Sequence, residues 1–221
     1  MELIKCKMPF YKKIHFSDKI IVYLWKNSET YEELLRKVYL KDQSLDRLKS
    51  MRSESHRKSF LGVRMLLEYC GYTDYDLSYD ISGKPFLNSK NNEIPLVISI
   101  SHSYEFSAIA LSKEAIGLDI EKIKEKVLRI APRYMNMAHI ENLSKKEQIQ
   151  KAVTIWGIKE SIFKIKNETG ISFPDHIFEE TFDLQDNHCK AQLRFNNQVE
   201  DFNINFCMIE DYILVCAFRS Y

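Results

Sequence analysis

Asp119 and Glu121 stand two residues apart at the end of an apolar segment, 115–121. In a β-strand, side chains two positions apart leave the same face, about 6.6 Å from each other along the chain. Two carboxylates on one face can share a hard cation, and Mg²⁺ suits them because it accepts one or two carboxylates together with water and phosphate oxygens. A solvated strand end without a metal is the alternative that this pair leaves open.

A second candidate group lies in the segment Trp-Gly-Ile-Lys-Glu-Ser-Ile-Phe-Lys at 156–164. Trp156, Glu160 and Lys164 recur at intervals of four, which places them on one helical face, and Lys159 is expected beside them. A glutamate that shares a face with a tryptophan is partly desolvated, which raises its basicity and suits it to general-base work or metal binding. A Glu–Lys surface pair beside a core tryptophan is the alternative.

Basic and polar side chains form a third group. Lys84 follows a glycine turn, and Ser101 and His102 stand at the end of a predicted strand. Arg57 and Arg64 are seven residues apart on a predicted helix, and together these groups could bind several phosphates, although each also has an ordinary structural explanation. Ser101 and His102 cannot form a catalytic dyad, because neighbouring side chains of a strand point to opposite faces.

The composition excludes several classes of protein. The 221 residues carry 32 Lys plus Arg and 31 Asp plus Glu, and a net charge of +1 argues against a nucleic-acid protein that relies on a broad basic surface. With 45% apolar and 12% aromatic residues, the chain can bury a core. Unbroken apolar runs such as 20–25 are far short of the roughly 20 residues that cross a bilayer. The first residues lack the features of a secretory signal, so we expect a cytoplasmic protein.

Common catalytic signatures are absent from the sequence. The six glycines form no G-x-G-x-x-G or Walker loop, and neither H-E-x-x-H nor G-x-S-x-G occurs. The cysteines are odd in number and contain no C-x-x-C pair, which is unfavourable for a disulfide framework or a zinc site. We therefore expect buried free thiols at Cys6, Cys70, Cys189, Cys207 and Cys216.

The first half of the chain predicts strands and helices in alternation. A strand is expected at 20–25, helical spacing links Tyr31 to Val38, and a second helix at 53–70 ends at Gly71. Apolar residues at 77, 79 and 81 then alternate with polar ones before the turn Ser82-Gly83-Lys84-Pro85. Three apolar runs follow and are expected to form a meander of adjacent strands, at 96–101, 106–112 and 115–121.

The second half repeats this order. Ser144 and Glu147 have the form of a capping box and begin a long helix that reaches about Lys166. Strands are expected at 202–209 and 212–218. The pattern predicts an α+β fold of two similar halves, with a seam near 112–117 and boundaries at 1–114 and 115–221. Because no low-complexity linker separates the halves, we expect them to be tightly joined.

Four segments, read in order, resemble the 4′-phosphopantetheinyl transferases. They are G-K-P-F-L at 83–87, I-S-I-S-H-S at 98–103, I-G-L-D-I-E-K at 116–122 and W-G-I-K-E-S-I-F-K at 156–164, and a looser H-R-x-x-x-L-G match begins at His56. The length resembles the doubled class related to the surfactin-synthetase activator. That resemblance implies two α+β halves packed as an intrachain pseudo-dimer, with the active site in the cleft between them.

The resemblance also implies an activity. Members move 4′-phosphopantetheine from coenzyme A to a serine of an apo acyl or peptidyl carrier protein, release 3′,5′-ADP and require Mg²⁺. Such carriers serve fatty-acid, polyketide and nonribosomal-peptide synthesis, and the sequence does not choose among them. We expect a monomer that binds coenzyme A and a carrier but neither nucleic acid nor membrane.

Site roles are carried over by motif. The implied metal ligands are Asp119, Glu121 and Glu160; Glu160 is also the candidate base, acting directly or through a metal-bound water. Lys164 would contact the pyrophosphate and Asp119 would also contact coenzyme A, so the metal site and catalytic helix fall in 115–221. The expected ligands of the nucleotide end of coenzyme A fall in 1–114 and are Lys84, Ser101 and His102. Arg57 and Arg64 are looser candidates for the 3′-phosphate, a task that Arg47 or Lys49 could share.

One departure from the family pattern lies at 133–139, where an expected aromatic residue and glutamate are missing, so the carrier-docking region is less defined. Two other interpretations stay open. A non-catalytic member could bind coenzyme A or a carrier without transfer, and an unrelated interaction module could carry these motifs by accident. Mg²⁺-dependent coenzyme A binding would test the second, and transfer to an apo carrier would test the first.

Overall fold

The computed structural model of the protein describes residues 10–17, 19–88 and 96–220. Over these ranges the fold is α+β, with two large antiparallel sheets and one small hairpin, as the sequence predicted. Cys6 lies outside the described residues, and the other four cysteines are free thiols that are buried or half-buried. A search of the described helices finds none with the length and apolar character that a membrane crossing requires.

The first sheet has the strand order β1-β2-β6-β5. Helices and a hairpin lie between its second and third strands in the chain. The elements in chain order are β1 Phe10–Ser17, β2 Ile20–Lys26, α1 Tyr31–Leu35, α2 Asp42–Ser50, α3 Glu54–Tyr69, β3 Leu77–Tyr79, β4 Pro85–Leu87, β5 Val97–Ser103 and β6 Phe106–Ser112.

The second sheet has the order β7-β11-β10-β9-β8 and carries the long helix. Two short 3₁₀ turns, Ala131–Arg133 and Met137–His139, precede that helix. The remaining elements are β7 Ile116–Lys122, α4 Val127–Ile130, α5 Lys145–Lys166, α6 Phe173–His176, β8 Ile177–Glu179, β9 His188–Phe195, β10 Gln198–Ile209 and β11 Tyr212–Arg219.

The predicted helices were correct where local end signals were strong. The Ser53 hydroxyl caps α3 by accepting from the His56 N–H, and Gly71 follows its end with φ +80°. The capping box of Ser144 and Glu147 begins α5 as predicted. The first helix is shorter than its spacing suggested, ending at Leu35, and α2 was not predicted because its residues are mostly polar.

The predicted three-strand meander was wrong. β5 pairs with β6, but β6 also pairs with β2, so both of its edges are occupied. A third neighbour therefore has no place on β6. The chain crosses instead into the second sheet, where β7 pairs with β11.

Three apolar clusters define the layers. One cluster lies between α3 and the first sheet, and a second lies between α5 and the second sheet. A third, which includes Val22 and Leu24 of β2 and Leu118 and Ile120 of β7, fills the space between the two sheets. The order of layers is therefore helix, sheet, sheet, helix, and the odd-numbered side chains of β7 are turned toward α5.

Candidate active site

Two glycines let α5 lie unusually close to the second sheet. A Cβ atom on Gly117 of β7 would stand 1.8 Å from the Ser161 carbonyl oxygen, and one on Gly157 would stand 2.6 Å from a methyl group of Val215. Neither distance is compatible with a side chain, so the close approach depends on glycine at both positions. It brings the face of α5 that carries Glu160 and Lys164 over Asp119.

Asp119 is nearly enclosed, with its side chain 6% exposed. Its Oδ1 accepts hydrogen bonds from Ser101 Oγ at 2.9 Å and Lys164 Nζ at 2.8 Å. Lys164 also donates to the Leu118 carbonyl at 2.8 Å, which fixes its ammonium beside Asp119. The other oxygen, Asp119 Oδ2, is buried and has no hydrogen-bond partner among the described residues.

Glu121 and Glu160 lie near enough to Asp119 for its charge to act on both, and these three carboxylates are called the acidic cluster. Burial raises the pKa of Glu121, and the negative charge of Asp119 raises it further. The pKa of Glu160 is raised by the same two causes in the same order. Both glutamates therefore hold a proton more readily than a solvated glutamate does.

The donors present suit a divalent cation that prefers oxygen ligands. A bound cation would give the buried Asp119 Oδ2 a partner. It would also stabilise the ionised forms of Glu121 and Glu160, whose pKa values are raised. Over the part of the chain that the structure describes, no group of three acidic, histidine or cysteine side chains is already gathered as a ligand set. The cation next to Asp119 is the Lys164 ammonium.

A cavity of about 440 Å³ lies on the other side of Lys164. Its wall comes from α2, α3, the β3–β4 hairpin, β5 and the end of α5. The lining contains basic side chains and no acidic ones among the described residues, which suits a polyanionic ligand. The basic residues are Arg47, His56, Arg64, Lys84, His102 and Lys164.

Lys84 and His102, which the sequence predicts as phosphate ligands, line this cavity. Lys84 Nζ donates to the Ile165 carbonyl at 2.5 Å, and burial together with nearby cations lowers its pKa. Burial lowers the pKa of His102. The neighbouring His56, whose ring centroid lies 6.0 Å from that of His102, lowers it further. Ser101 points to the opposite face and contacts Asp119, which confirms the alternation expected of a strand.

The two arginines of α3 lie in different settings. Arg64 lines the cavity, but its guanidinium is buried and pairs with Asp74 at 2.9 Å. Arg57 lies over the Tyr31 ring and is not among the lining residues. Arg47 reaches the cavity, whereas Lys49 is exposed beside Asp46.

His56 was missed as a site residue. It lines the cavity opposite His102. The signal was present in the sequence, because His56 begins the loose H-R-x-x-x-L-G match. Residues of such a motif lie on different helical faces, so spacing alone could not show which one faces the cavity.

Lys159 does not lie beside Glu160 and Lys164, contrary to expectation. It points to the opposite side of α5 and pairs with Glu179 at 2.8 Å, with both side chains 3% exposed. A shift of one residue on a helix turns the side chain by about 100°. Lys159 is therefore a buried structural group in the described fold.

A second groove of about 400 Å³ begins at Glu121 and Trp156. Its floor is apolar and includes Val127 and Val153, while half-buried and exposed basic side chains form its rim. Those rim residues are Lys122, Lys124, Lys126 and Arg129. The acidic cluster thus lies between a basic cavity and an apolar groove with a basic rim.

Comparison with known proteins gives a consistent family. The sequence model of the 4′-phosphopantetheinyl transferase superfamily matches residues 115–217. A 4′-phosphopantetheinyl transferase of Bacillus subtilis is 26% identical over 136 residues, 57% of this chain and 59% of that protein. The 4′-phosphopantetheinyl transferase gsp of Aneurinibacillus migulanus is 31% identical over 85 residues, 37% of this chain and 34% of its own.

The 4′-phosphopantetheinyl transferase Sfp of Bacillus subtilis strain 168 is 35% identical over 79 residues. That alignment covers 34% of this chain and 35% of Sfp. The chain thus matches less than two thirds of the length of each of these curated relatives.

Proposed function

The chain belongs to the 4′-phosphopantetheinyl transferase superfamily, and we propose that it transfers the 4′-phosphopantetheine arm of coenzyme A to an apo carrier protein. The acceptor is a serine hydroxyl of an acyl or peptidyl carrier, and the product that leaves is 3′,5′-ADP. The nucleophile belongs to the partner, which accounts for the lack of an activated serine or cysteine motif in this sequence.

The acidic cluster would hold Mg²⁺ through Asp119, Glu121 and Glu160. When bound, the metal supplies positive charge that stabilises the developing charge on the pyrophosphate oxygens. The supporting observation is the buried Asp119 Oδ2 without a hydrogen-bond partner, beside two carboxyls with raised pKa values. Lys164, which donates to Asp119 in this structure, would donate at least one hydrogen bond to the pyrophosphate of bound coenzyme A.

Glu160 is the proposed base. Its half-buried position and the charge of Asp119 raise its pKa, and this increases its affinity for a proton. The serine oxygen of the carrier forms a bond to phosphorus, the bond from phosphorus to 3′,5′-ADP breaks, and the serine proton passes to Glu160. Trp156, one turn earlier on the same face, shields this side of the helix from water.

The basic cavity would hold the nucleotide end of coenzyme A. Lys84, His102 and His56 lie on its wall, and Arg47 is better placed than Arg57 for the 3′-phosphate because Arg57 is not among the lining residues. The Arg64 charge is already neutralised by Asp74, so Arg64 would contribute shape more than charge. Residues 1–114 would thus bind the nucleotide, and 115–221 would supply the metal ligands and the base.

The carrier would dock over the groove that begins at Glu121 and Trp156. Glu121 of the acidic cluster lines this groove, and the groove shares no lining residue with the basic cavity. A serine entering there would reach the phosphorus without displacing the nucleotide. The monomeric state and cytoplasmic location expected from the sequence stay predictions.

The deciding experiment is intact-mass analysis of a panel of apo carriers after incubation with the protein, coenzyme A and Mg²⁺. We expect a mass increase of one phosphopantetheine on at least one carrier, with release of 3′,5′-ADP. Asp119→Asn keeps the size of the side chain but removes the charge at the centre of the cluster, and it should abolish the increase. Mg²⁺-dependent coenzyme A binding without any transfer would indicate a non-catalytic member instead.

A further inference from the structure

Two edge strands meet where the two sheets come together. β5 is the last strand of the first sheet, and β7 is the last strand of the second. Over the described residues these strands share no backbone ladder, and serine hydroxyls of β5 accept hydrogen bonds from amides of β7. The three contacts are Leu118 N to Ser99 Oγ (2.9 Å), Ile120 N to Ser101 Oγ (3.2 Å) and Lys122 N to Ser103 Oγ (3.4 Å).

A hydroxyl that accepts from an amide still has its own proton to donate. Ser101 donates it to Asp119 Oδ1 at 2.9 Å, and Ser103 donates it to Glu121 Oε2 at 3.0 Å. Ser99 repeats the amide contact, but the corresponding position on β7 is Gly117, which has no side chain. Two of the three serines therefore connect the backbone to a carboxylate, and one does not.

We propose that Ser103 is a positioning residue for Glu121, and that Ser101 does the same for Asp119. Because each hydroxyl is tied to a β7 amide, it holds its carboxylate toward the α5 side, where a cation can bind two oxygens at once. Outer hydrogen-bond partners of this kind orient metal ligands and govern their affinity. The inference rests on the metal site in the proposed function.

Ser103 is the sharper case of the two. Asp119 is also held by Lys164, so the loss of Ser101 leaves a second contact in place. For Glu121, the hydrogen-bond donor in the described structure is Ser103. Ser103 lies on β5 of the first sheet and Glu121 on β7 of the second, so this contact makes the metal site depend on how the two sheets meet.

The test measures binding of Mn²⁺ alone, followed as loss of free Mn²⁺ by electron paramagnetic resonance. Mn²⁺ accepts the same oxygen ligands as Mg²⁺. Ser103→Ala should weaken Mn²⁺ binding about 10- to 100-fold relative to the wild type. Ser103→Thr, which keeps the hydroxyl, should bind Mn²⁺ about as tightly as the wild type. Ser99→Ala removes an equivalent amide contact without a carboxylate and should leave Mn²⁺ affinity unchanged, with thermal unfolding of each variant as the check on the fold.

Equal weakening by Ser99→Ala and Ser103→Ala would overturn the inference, because the serines would then only join the sheets. Unchanged affinity in Ser103→Ala would overturn it as well. Should Ser103→Ala fail to fold, the isosteric pair Ser103→Thr and Ser103→Val carries the same comparison. If the wild type binds no Mn²⁺, the proposed metal site and this inference both fail. If the variants bind Mn²⁺ with the expected differences in affinity but the protein modifies no carrier, only the proposed transfer is refuted.

Discussion

Helix α5 carries two lysines five residues apart, and each faces a carboxylate in a different setting. Lys159 pairs with Glu179 at 2.8 Å, and both side chains are 3% exposed. Lys164 pairs with Asp119 at the same distance, but its side chain is 29% exposed and lines the basic cavity. One helix thus has a sealed pair on one face and an open pair on the other.

The partners of each lysine explain the difference. Lys159 donates to the Ile177 and Phe173 carbonyls and lies 2.8 Å from Glu179 Oε2, so groups of the protein itself surround its ammonium group. Lys164 stands beside Asp119 and near Glu121 and Glu160, two half-buried carboxyls whose pKa values are raised by burial and by the charge of Asp119. The sealed pair is closed to solvent, while the open pair is the one at which the proposed cation and phosphate would replace existing contacts.

Glu160→Gln should have the largest effect, because it removes the proposed base from the open face. We expect kcat to fall by about 10² to 10⁴, the contribution usual for general acid–base catalysis, with no loss of thermal stability. The measurement is transfer rate against Mg²⁺ concentration, followed by the pH dependence of kcat. Full rescue by excess Mg²⁺ with an unchanged acidic limb would assign Glu160 to metal binding alone.

Lys159→Met tests the sealed face. Removing Lys159 leaves the buried Glu179 charge without its lysine partner and with only the His139 ring, 3.7 Å away, beside it among the described residues. This should cost about 3–5 kcal/mol in the free energy of unfolding, measured by urea denaturation. The double variant Lys159→Met/Glu179→Leu removes both charges and should recover most of that loss and retain transfer. Lost transfer in a fully stable Lys159→Met protein would show that the sealed pair has a direct part in the reaction.

Lys84→Ala should raise the KM for coenzyme A about tenfold while changing kcat little. Lys84 would contact a phosphate remote from the reacting bond, so its contribution is nearly the same in the ground state and the transition state. Steady-state kinetics with varied coenzyme A provide the measurement. Lys146→Ala, an exposed lysine in the first turn of α5, removes the same charge away from the cavity and should leave KM unchanged. A fall in kcat alone for Lys84→Ala would contradict this role.

Glu121→Gln should stabilise the metal-free protein at neutral pH. Burial and Asp119 raise the pKa of Glu121 in the folded state, so its ionised form opposes folding, and stability falls as the pH rises through that pKa. The amide removes this penalty and should raise Tm by about 2–4 °C. In thermal unfolding with EDTA, the gain should shrink as the pH is lowered through the raised pKa; a gain independent of pH would have another cause.

Local signals in the sequence were sufficient for several elements. The capping residues Ser53 and Ser144 marked the starts of α3 and α5, and the alternation along β7 put Asp119 and Glu121 on one face. The spacing of Trp156, Glu160 and Lys164 put them on one half-buried face of α5. These features depend on contacts within a few residues, which is why a sequence pattern can specify them.

Other features depend on partners far along the chain, and only the tertiary structure decided them. β7 joins β11 because β6 is already paired on both edges, and Lys159 faces Glu179, twenty residues away, rather than the cluster. The neutralisation of Arg64 by Asp74 and the contact of Ser103 with Glu121 likewise join separate elements. The sequence by itself determined which residue types face together on each strand and helix. The packing of two sheets and α5 decided which faces meet, because burial and pairing are set by groups that local periodicity does not describe.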